Sequence, residues 1–318
     1  MPAKVAYRSR MPTTAAVIAE KKRSPFLGAL AGILVGSACG VAGFALATVP
    51  ASRFLGAVLF YLVPIAAGIA VVFTMRGRGA IAAAALISTL IALFCLIAGG
   101  KEGLLCALMA FPIIFVALLV GVAFGLMLYE LIGWAKAPKS LALFILPLVI
   151  AGGHQVELKN AGQPRASMVT TSVWLAAPAE QVWPYIQRVD SIAGPKPLLM
   201  YVGLPIPQRC VLSGTAVGSK RTCYFDKGYI EETILEWQPP YHLRLSIDRT
   251  NLPGRHWLGF ENAEYTLQPE RGGTLLTRTT TITSGLSPSW YWEPLERWGV
   301  ASEHRYLFQD VEHKMSGR

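Results

Sequence analysis

The sequence predicts two parts of different kind: a multi-pass α-helical membrane bundle, then an α+β domain whose curved antiparallel sheet holds a long C-terminal helix. Three observations point there. Of 318 residues, 53% are hydrophobic and 15% are charged, against roughly 25% charged in an average soluble protein. Long uncharged runs fill the first half of the chain, whereas the second half carries short stretches of alternating apolar and polar residues. The positive charge also sits on one side of the boundary. Before Glu157 there are 12 Lys and Arg against 3 Asp and Glu; from Glu157 onward there are 17 against 16. The excess behind the formal +10 therefore belongs to the apolar half, where basic residues set membrane orientation. The near-neutral second half carries no basic stripe of the kind that grips nucleic acid, so the bilayer is the expected partner and nucleic acid is not.

Residues 1–24 are polar, without apolar periodicity, and read as a disordered cytoplasmic tail. The transmembrane region follows over 25–153, with about five spans at 25–47, 54–75, 79–100, 103–132 and 140–156. The first four reach the ~20 residues that cross a hydrocarbon core. Ala45-Leu46-Ala47 resembles a signal-peptidase site, but the apolar run before it exceeds the roughly 7–15 residues of a signal peptide, which favours a retained helix. Ser140–Val156 is short, carries Pro147, and either crosses the bilayer or lies at its interface. With five spans and the N-terminus inside, the tail cations, Arg76, Arg78, Lys136 and Lys139 are cytoplasmic. Only Arg53 and Lys101 are then outside, in keeping with the positive-inside rule. This reading puts the protein in a bacterial inner membrane with a periplasmic C-terminal domain; without the fifth span that domain is cytoplasmic.

Gly28, Gly32, Gly36 and Gly40 recur at every fourth position of the first span. Such spacing admits a close neighbouring helix, either from a second copy of the chain or from the same bundle. No ionisable side chain occupies the middle of a span, whereas ion and proton pathways place such groups there. The bundle thus reads as an anchor or lipid-facing platform rather than a pump. Residues 154–167, polar and containing Gly and Pro, read as a linker.

The second domain, 168–315, begins with an alternating strand at Val169–Leu175. An amphipathic helix follows, with Pro178 in its first turn, where a missing N–H is harmless, and Glu180 favoured by the helix dipole. A short helix and loop span Asp190 to Gly203. Strands are expected at Pro207–Leu212 and Lys220–Phe225, flanking Gly214 and Gly218, and at Tyr229–Trp237. In the next, Leu243, Leu245 and Ile247 alternate with polar residues. After the loop 249–259 come Phe260–Gln268 and Thr274–Thr283. A final helix, about Tyr291 to Met315, places Trp292, Leu295, Trp298, Leu307, Phe308 and Val311 on one face.

Four features of this half, Ala177-Pro178-Ala179-Glu180-Gln181-Val182-Trp183, Trp237-Gln238-Pro239-Pro240, Gly272-Gly273-Thr274 and the terminal helix, resemble the SRPBCC superfamily, in particular its polyketide cyclase/dehydrase and lipid-transport branch. The resemblance covers residues 168–315 and implies a helix-grip, START-like fold with an internal cavity for an apolar ligand. That family contains both carriers and enzymes. The resemblance does not extend to the membrane half.

Zinc-type and nucleotide-binding motifs are missing from the sequence, and His304 and His313 fall on opposite sides of their helix, so neither a metal nor another cofactor is expected. The cavity-lining candidates are Trp183, Tyr201, Arg221, Glu232, Trp237, Leu245, Trp257, Tyr265, Trp292 and Leu295. Trp183, Trp237, Trp292 and Trp298 fit a packed core as well as a ligand cage. No catalytic residue stands out; the weak candidates are His256, Tyr265 and Glu232. Arg221 and Glu232 face each other across neighbouring strands, either as a cavity pair or on the surface. Cys210 and Cys223 are placed symmetrically about a hairpin turn, as a cross-strand disulfide would be, whereas Cys39, Cys95 and Cys106 lie in apolar runs. Three readings follow: a membrane-anchored domain holding a lipid or other hydrophobic small molecule, an acid–base enzyme acting on a polyketide-like or aromatic compound, and a sensor or assembly protein whose cavity is filled.

Overall fold

The computed structural model describes residues 25–47, 56–74, 80–99, 103–134, 140–160, 162–192, 194–252 and 257–316. The 1–24 tail, the loop cations Arg53, Arg76, Arg78, Lys101, Lys136 and Lys139, and His256 lie outside the described residues. The helical half comprises α1 (Pro25–Ala47), a π-helical turn (Val58–Leu62) running into α2 (Val63–Thr74), α3 (Ile81–Ala98), α4 (Leu104–Trp134) and α5 (Ser140–Asn160). Among the described residues, α3 and the Leu104–Ile132 part of α4 are long and apolar enough to cross a membrane; Val58–Thr74 is apolar but shorter. Among the described residues two helices therefore meet that criterion.

Glycines let these helices approach closely. A Cβ on Gly68 would strike the carbonyl of Leu118, and one on Gly121 the carbonyl of Ile65, so α2 and α4 cross backbone against backbone. In α1, a Cβ on Gly36 would lie 2.8 Å from Ser88 Oγ, and one on Gly40 3.0 Å from the Ala92 methyl. At those two positions the groove of the glycine stripe is filled by the chain's own α3. The expected linker is shorter than its composition suggests: residues 154–160 form the last turns of α5, a 21-residue helix about 31 Å long at 1.5 Å per residue. Gly153 does not break this helix because it serves an interhelical contact, its Cβ position lying 2.7 Å from Leu62 Cδ2.

The C-terminal half is a curled, seven-stranded antiparallel sheet in the order β1-β7-β6-β5-β4-β3-β2. Its strands are β1 (Arg165–Leu175), β2 (Pro207–Leu212), β3 (Lys220–Phe225), β4 (Gly228–Gln238), β5 (His242–Thr250), β6 (Leu258–Glu270) and β7 (Gly273–Ser284). Its helices are α6 (Ala179–Gln187), the single turn α7 (Leu198–Tyr201) and the long α8 (Ser289–Ser316). Such a sheet with a C-terminal helix fits a helix-grip fold. Pro178, with φ −68° and ψ 154°, caps α6 one residue before the expected position, where its lack of an N–H still costs nothing. Between β6 and β7, Arg271 and Gly272 take positive φ, 52° and 76°. Two such residues in succession form the tight turn whose twist matches a hairpin.

Period-two alternation sends Ile234, Leu243, Leu245, Leu267 and Leu276 to the inner face, where they pack with Val182, Trp183, Phe308 and Val311. Trp298 departs from expectation: it is 44% exposed, while Glu296, His304 and Asp310 of the same helix are buried. The sheet surface that α8 covers is partly charged, so polar side chains turn inward to meet it.

The glycine crossing gives a clean test in the full-length protein. Gly121→Leu is expected to lower stability by at least ~1–3 kcal/mol, because overpacking against backbone cannot be relieved by a rotamer change. Gly152→Ala, with open space at its Cβ, is expected to be neutral or stabilising by up to ~1 kcal/mol. Thermal melting of both variants in detergent measures the contrast.

Candidate ligand cavity

A cavity of about 160 Å³ lies between the inner face of the sheet, α8 and the first turns of α4. Apolar walls come from Ile230 on β4, Ile247 on β5, Phe260 on β6, Trp292, Leu295 and Val300 on α8, and Leu105, Cys106 and Met109 on α4. Trp257, at the end of the 249–259 loop, completes them. Gly299 lines the cavity as well, with nothing within 4 Å of where its Cβ would be. The missing side chain at that position leaves room inside.

The remaining wall is charged. Glu232, Arg278, Glu296 and Glu303 line the same space, with Thr280. Their placement follows from strand alternation: Glu232 is in phase with buried Ile230 and Ile234, and Arg278 with buried Leu276, Thr280 and Ile282. Burial requires partners for these charges. Arg221, paired in register with Glu232, places Nη1 3.3 Å from Glu232 Oε2, both side chains being buried. Arg278 Nη1 lies 3.0 Å from Glu303 Oε2, and its guanidinium stands 5.3 Å from the centre of the Tyr265 ring. Arg165 donates to Glu296 Oε2 at 2.6 Å, and Ser284 donates to Oε1 of the same carboxylate.

Burial pushes the Glu232 carboxyl above its ordinary range and outweighs the attraction of Arg221 and Arg278. For Arg278, burial works the other way, but Glu303, then Tyr265 and Glu232, hold the guanidinium firmly charged. Glu296 is likewise raised by burial, against the hydrogen bond from Ser284 and the charge of Arg165. His304 sits beneath this cluster, completely buried. Nδ1 lies 2.8 Å from Thr171 Oγ1 and Nε2 2.8 Å from Thr280 Oγ1, an arrangement a neutral imidazole satisfies with one donor and one acceptor nitrogen. Burial, with the charges of Arg278 and Arg305, drives its pKa well below the usual histidine value. The buried Arg278 Nε and Trp292 Nε1 have no hydrogen-bond partner. Among the described residues, no group of three His, Cys, Asp or Glu is placed to hold a metal ion.

The residues expected to line the cavity divide into three sets. Glu232, Trp257, Trp292 and Leu295 lie on its wall. Trp183, Trp237, Leu245 and Tyr265 pack in the neighbouring core, with the Trp183 and Trp237 rings edge to face at 5.3 Å. Arg221 is buried behind Glu232, which excludes the surface alternative for that pair. Tyr201 is 72% exposed and does not line the cavity. Of the weak catalytic candidates, Glu232 is on the wall, Tyr265 is in the core, and His256 lies outside the described residues. Sequence reasoning missed Arg278, Thr280, Glu296, Gly299 and Glu303. For Arg278 and Thr280 the signal was present, since both alternate in phase with Leu276 and Ile282.

No family model and no curated protein matches the chain. Its C-terminal half is similar to several solved structures. A crystal structure of Ara h 8.0201 is 8% identical, covers 48% of this chain and all of its own, and gives a TM-score of 0.33. TTHA0849 from Thermus thermophilus is 14% identical over 48% of this chain and 98% of its own, with a TM-score of 0.35. NE0264 from Nitrosomonas europaea is 15% identical over 48% and 97%, with a TM-score of 0.34.

Cys210 and Cys223, directly opposite each other on β2 and β3, form a disulfide. The loop it closes spans 13 positions, so reduction or Cys223→Ser is expected to cost roughly 3 kcal/mol by the loop-entropy relation. Denaturant unfolding with and without reductant measures this.

His304 gives a pH signature. Its folded-state pKa is depressed, so its stabilising effect is complete above about 6.5, the unfolded value, and declines as pH falls below that. The slope is about 1.4 kcal/mol per pH unit for one proton. In His304→Gln this part of the acid limb is expected to vanish, as melting temperatures over a pH series will read.

Proposed function

We propose that this chain is an integral membrane protein whose C-terminal domain holds a lipid or other hydrophobic small molecule. The carrying observation is the cavity of about 160 Å³, apolar over most of its wall and open at the Gly299 position. Engineered apolar cavities of roughly 150 Å³ take up benzene-sized molecules. A ring or a segment of hydrocarbon chain therefore fits this one.

Membrane insertion is supported by the outer surface of the helical half. Leu90 and Phe94 on α3, Leu108, Val116 and Phe124 on α4, and Leu148 on α5 are all exposed. Apolar display on that scale is costly in water and natural in lipid. The length of α5 supports a fifth crossing, and with it a periplasmic domain. The Cys210–Cys223 disulfide agrees, since such bonds persist in oxidising compartments and are rare in the cytosol. Proximity to the bilayer would then keep an apolar ligand at high local concentration.

The test uses the full-length protein extracted from membranes in detergent. Mass spectrometry of the organic extract is expected to find a co-purified apolar molecule. The naphthylamine dye N-phenyl-1-naphthylamine is expected to bind with enhanced fluorescence. Gly299→Phe, which fills the open position, is expected to weaken dye binding at least tenfold, whereas Gly299→Ala leaves it close to wild type. A protein that yields no such molecule and does not bind the dye overturns the reading.

An acid–base enzyme is favoured by one feature, the raised pKa of Glu232 on the cavity wall, because a carboxyl shifted upward by burial is the direction of tuning that general acid catalysis uses. Under that reading Glu232→Gln changes the chemical identity of the recovered molecule. Under the carrier reading the same molecule is recovered from both proteins.

A further inference from the structure

The sheet cavity comes toward the molecular surface along a seam between the two halves of the chain. Its lining residues on the strands and the middle of α8, among them Ile230, Glu232, Thr280 and Val300, are buried. By contrast Gly103, Leu105 and Cys106 at the start of α4, and Gly203, Leu204 and Pro205 after α7, all line it while only half-buried. The two segments touch. A Cβ on Gly203 would lie 3.4 Å from the Leu105 amide nitrogen and 3.7 Å from Leu104 Cβ. Gly203 brings no side chain to this contact, and its φ of 116° is one that glycine takes without strain. A little further along α4, the Tyr291 hydroxyl donates to the Met109 carbonyl. One wall of the cavity is thus a helix distant in sequence, laid against the domain.

The length of α4 says what lies outside that seam. Its apolar segment Leu104–Ile132 has 29 residues and is about 44 Å long at 1.5 Å per residue. This matches the ~40–45 Å of a bilayer with its headgroup zones, against ~30 Å for the hydrocarbon core alone. The outermost ~7 Å at each end then stands at headgroup level, and Leu104 to Met109 covers about that length. The surface around the seam has the matching character. Leu104, on the seam itself, and Leu108, one turn on, are both exposed. Trp290 at the start of α8 is exposed as well, its ring edge to face with Tyr291 at 5.8 Å. Tryptophan is a residue that collects where membrane meets water.

Building on the ligand-holding reading above, we propose that the guest of the sheet cavity passes to and from the bilayer through the seam between residues 103–106 and 203–205. The first turns of α4 are the movable wall, and the headgroup zone of the membrane lies outside it. Leu104, Leu108 and Trp290 seat the seam at that depth. An apolar guest taking this route goes between protein and lipid without presenting its surface to water, the unfavourable step for such a molecule.

Full-length protein in phosphatidylcholine vesicles tests both parts, in a background of Cys39→Ser, Cys95→Ser and Cys106→Ser that keeps the native disulfide. For depth, Leu104→Cys is labelled with the fluorophore NBD. Quenching by phosphatidylcholine bearing a doxyl group near its headgroup is expected to exceed quenching by aqueous iodide. For the route, Leu104→Cys with Gly203→Cys is closed by oxidation; their Cβ positions are 3.7 Å apart, close to the ~3.8 Å of a disulfide. Leu105→Cys with Gly203→Cys, at 3.8 Å, is a second lock. Trifluoromethyl phenyldiazirine, added through the lipid and photolysed, is expected to mark Ile230 or Ile247 inside the cavity of the background protein. The mark is expected to be lost in the oxidised pairs and kept in oxidant-treated Gly203→Cys alone, which carries the same backbone strain. Undiminished marking with a lock formed would overturn the route, and iodide as the stronger quencher would overturn the bilayer as its source; both leave the ligand-holding reading standing. No mark in the cavity of any variant or of the background protein would sink both.

Discussion

A guanidinium carried into a protein interior loses several kcal/mol of hydration unless a carboxylate and hydrogen bonds replace it, and Arg278 meets that demand through Glu303, 3.0 Å away on α8. The pairing fixes which face of the terminal helix turns toward the sheet. It brings in Glu296, which needs Arg165 and Ser284 in turn, and His304, held between Thr171 on β1 and Thr280 on β7. The two strands that grip the helix are thus joined to it by polar contacts, while Phe308 and Val311 anchor the far end in hydrocarbon. A purely apolar helix face would close tightly on the sheet. A face that must accommodate ion pairs, with glycine at 299, leaves space between them.

The same helix also faces the other half of the chain. Trp292 packs with Phe60 at a ring separation of 4.8 Å, in a cluster that includes Phe44, Leu59, Ile113 and Leu286. The Tyr291 hydroxyl donates to the Met109 carbonyl at 2.5 Å. One wall of the sheet cavity therefore belongs to α4. Cut at residues 161–164, the second domain would expose Trp292, Leu286 and the cavity together. Its fold is self-contained in topology, but its cavity is not.

The strands were readable in the sequence because half-buried antiparallel strands alternate with period two. The alternation located the inner face well enough to put Glu232 opposite Arg221 and Cys210 opposite Cys223, pairs that adjacent strands bring together. Contacts between distant segments were less visible. Nothing in the local pattern of Ser289–Ser316 says that Glu303 rather than Trp298 points inward, because the deciding partner, Arg278, lies on another element. The helical apolar period favours Trp298, and tertiary pairing of a buried charge overrides it. The start of the linker, expected at residue 154 just after Gly153, was misplaced for a related reason. Glycine weakens an isolated helix by about 1 kcal/mol, yet close contact with Leu62 compensates, and the helix continues to Asn160.

The balance between holding a molecule and converting it turns on where the polar groups spend their hydrogen-bonding capacity. Acid–base catalysis needs donors and acceptors converging within ~3 Å of one reacting position. In this cavity the carboxylates converge on arginines instead: Glu232 on Arg221, Glu303 on Arg278, Glu296 on Arg165. Tyr265 lies in the core beside both Arg221 and Arg278, with its ring 5.9 and 5.3 Å from their guanidinium carbons. What faces a guest is a largely apolar wall, since the unpaired Arg278 Nε and Trp292 Nε1 of its lining residues are themselves buried. Polar groups engaged with one another in this way hold α8 on the sheet and leave hydrocarbon contact as the main interaction that the cavity wall offers.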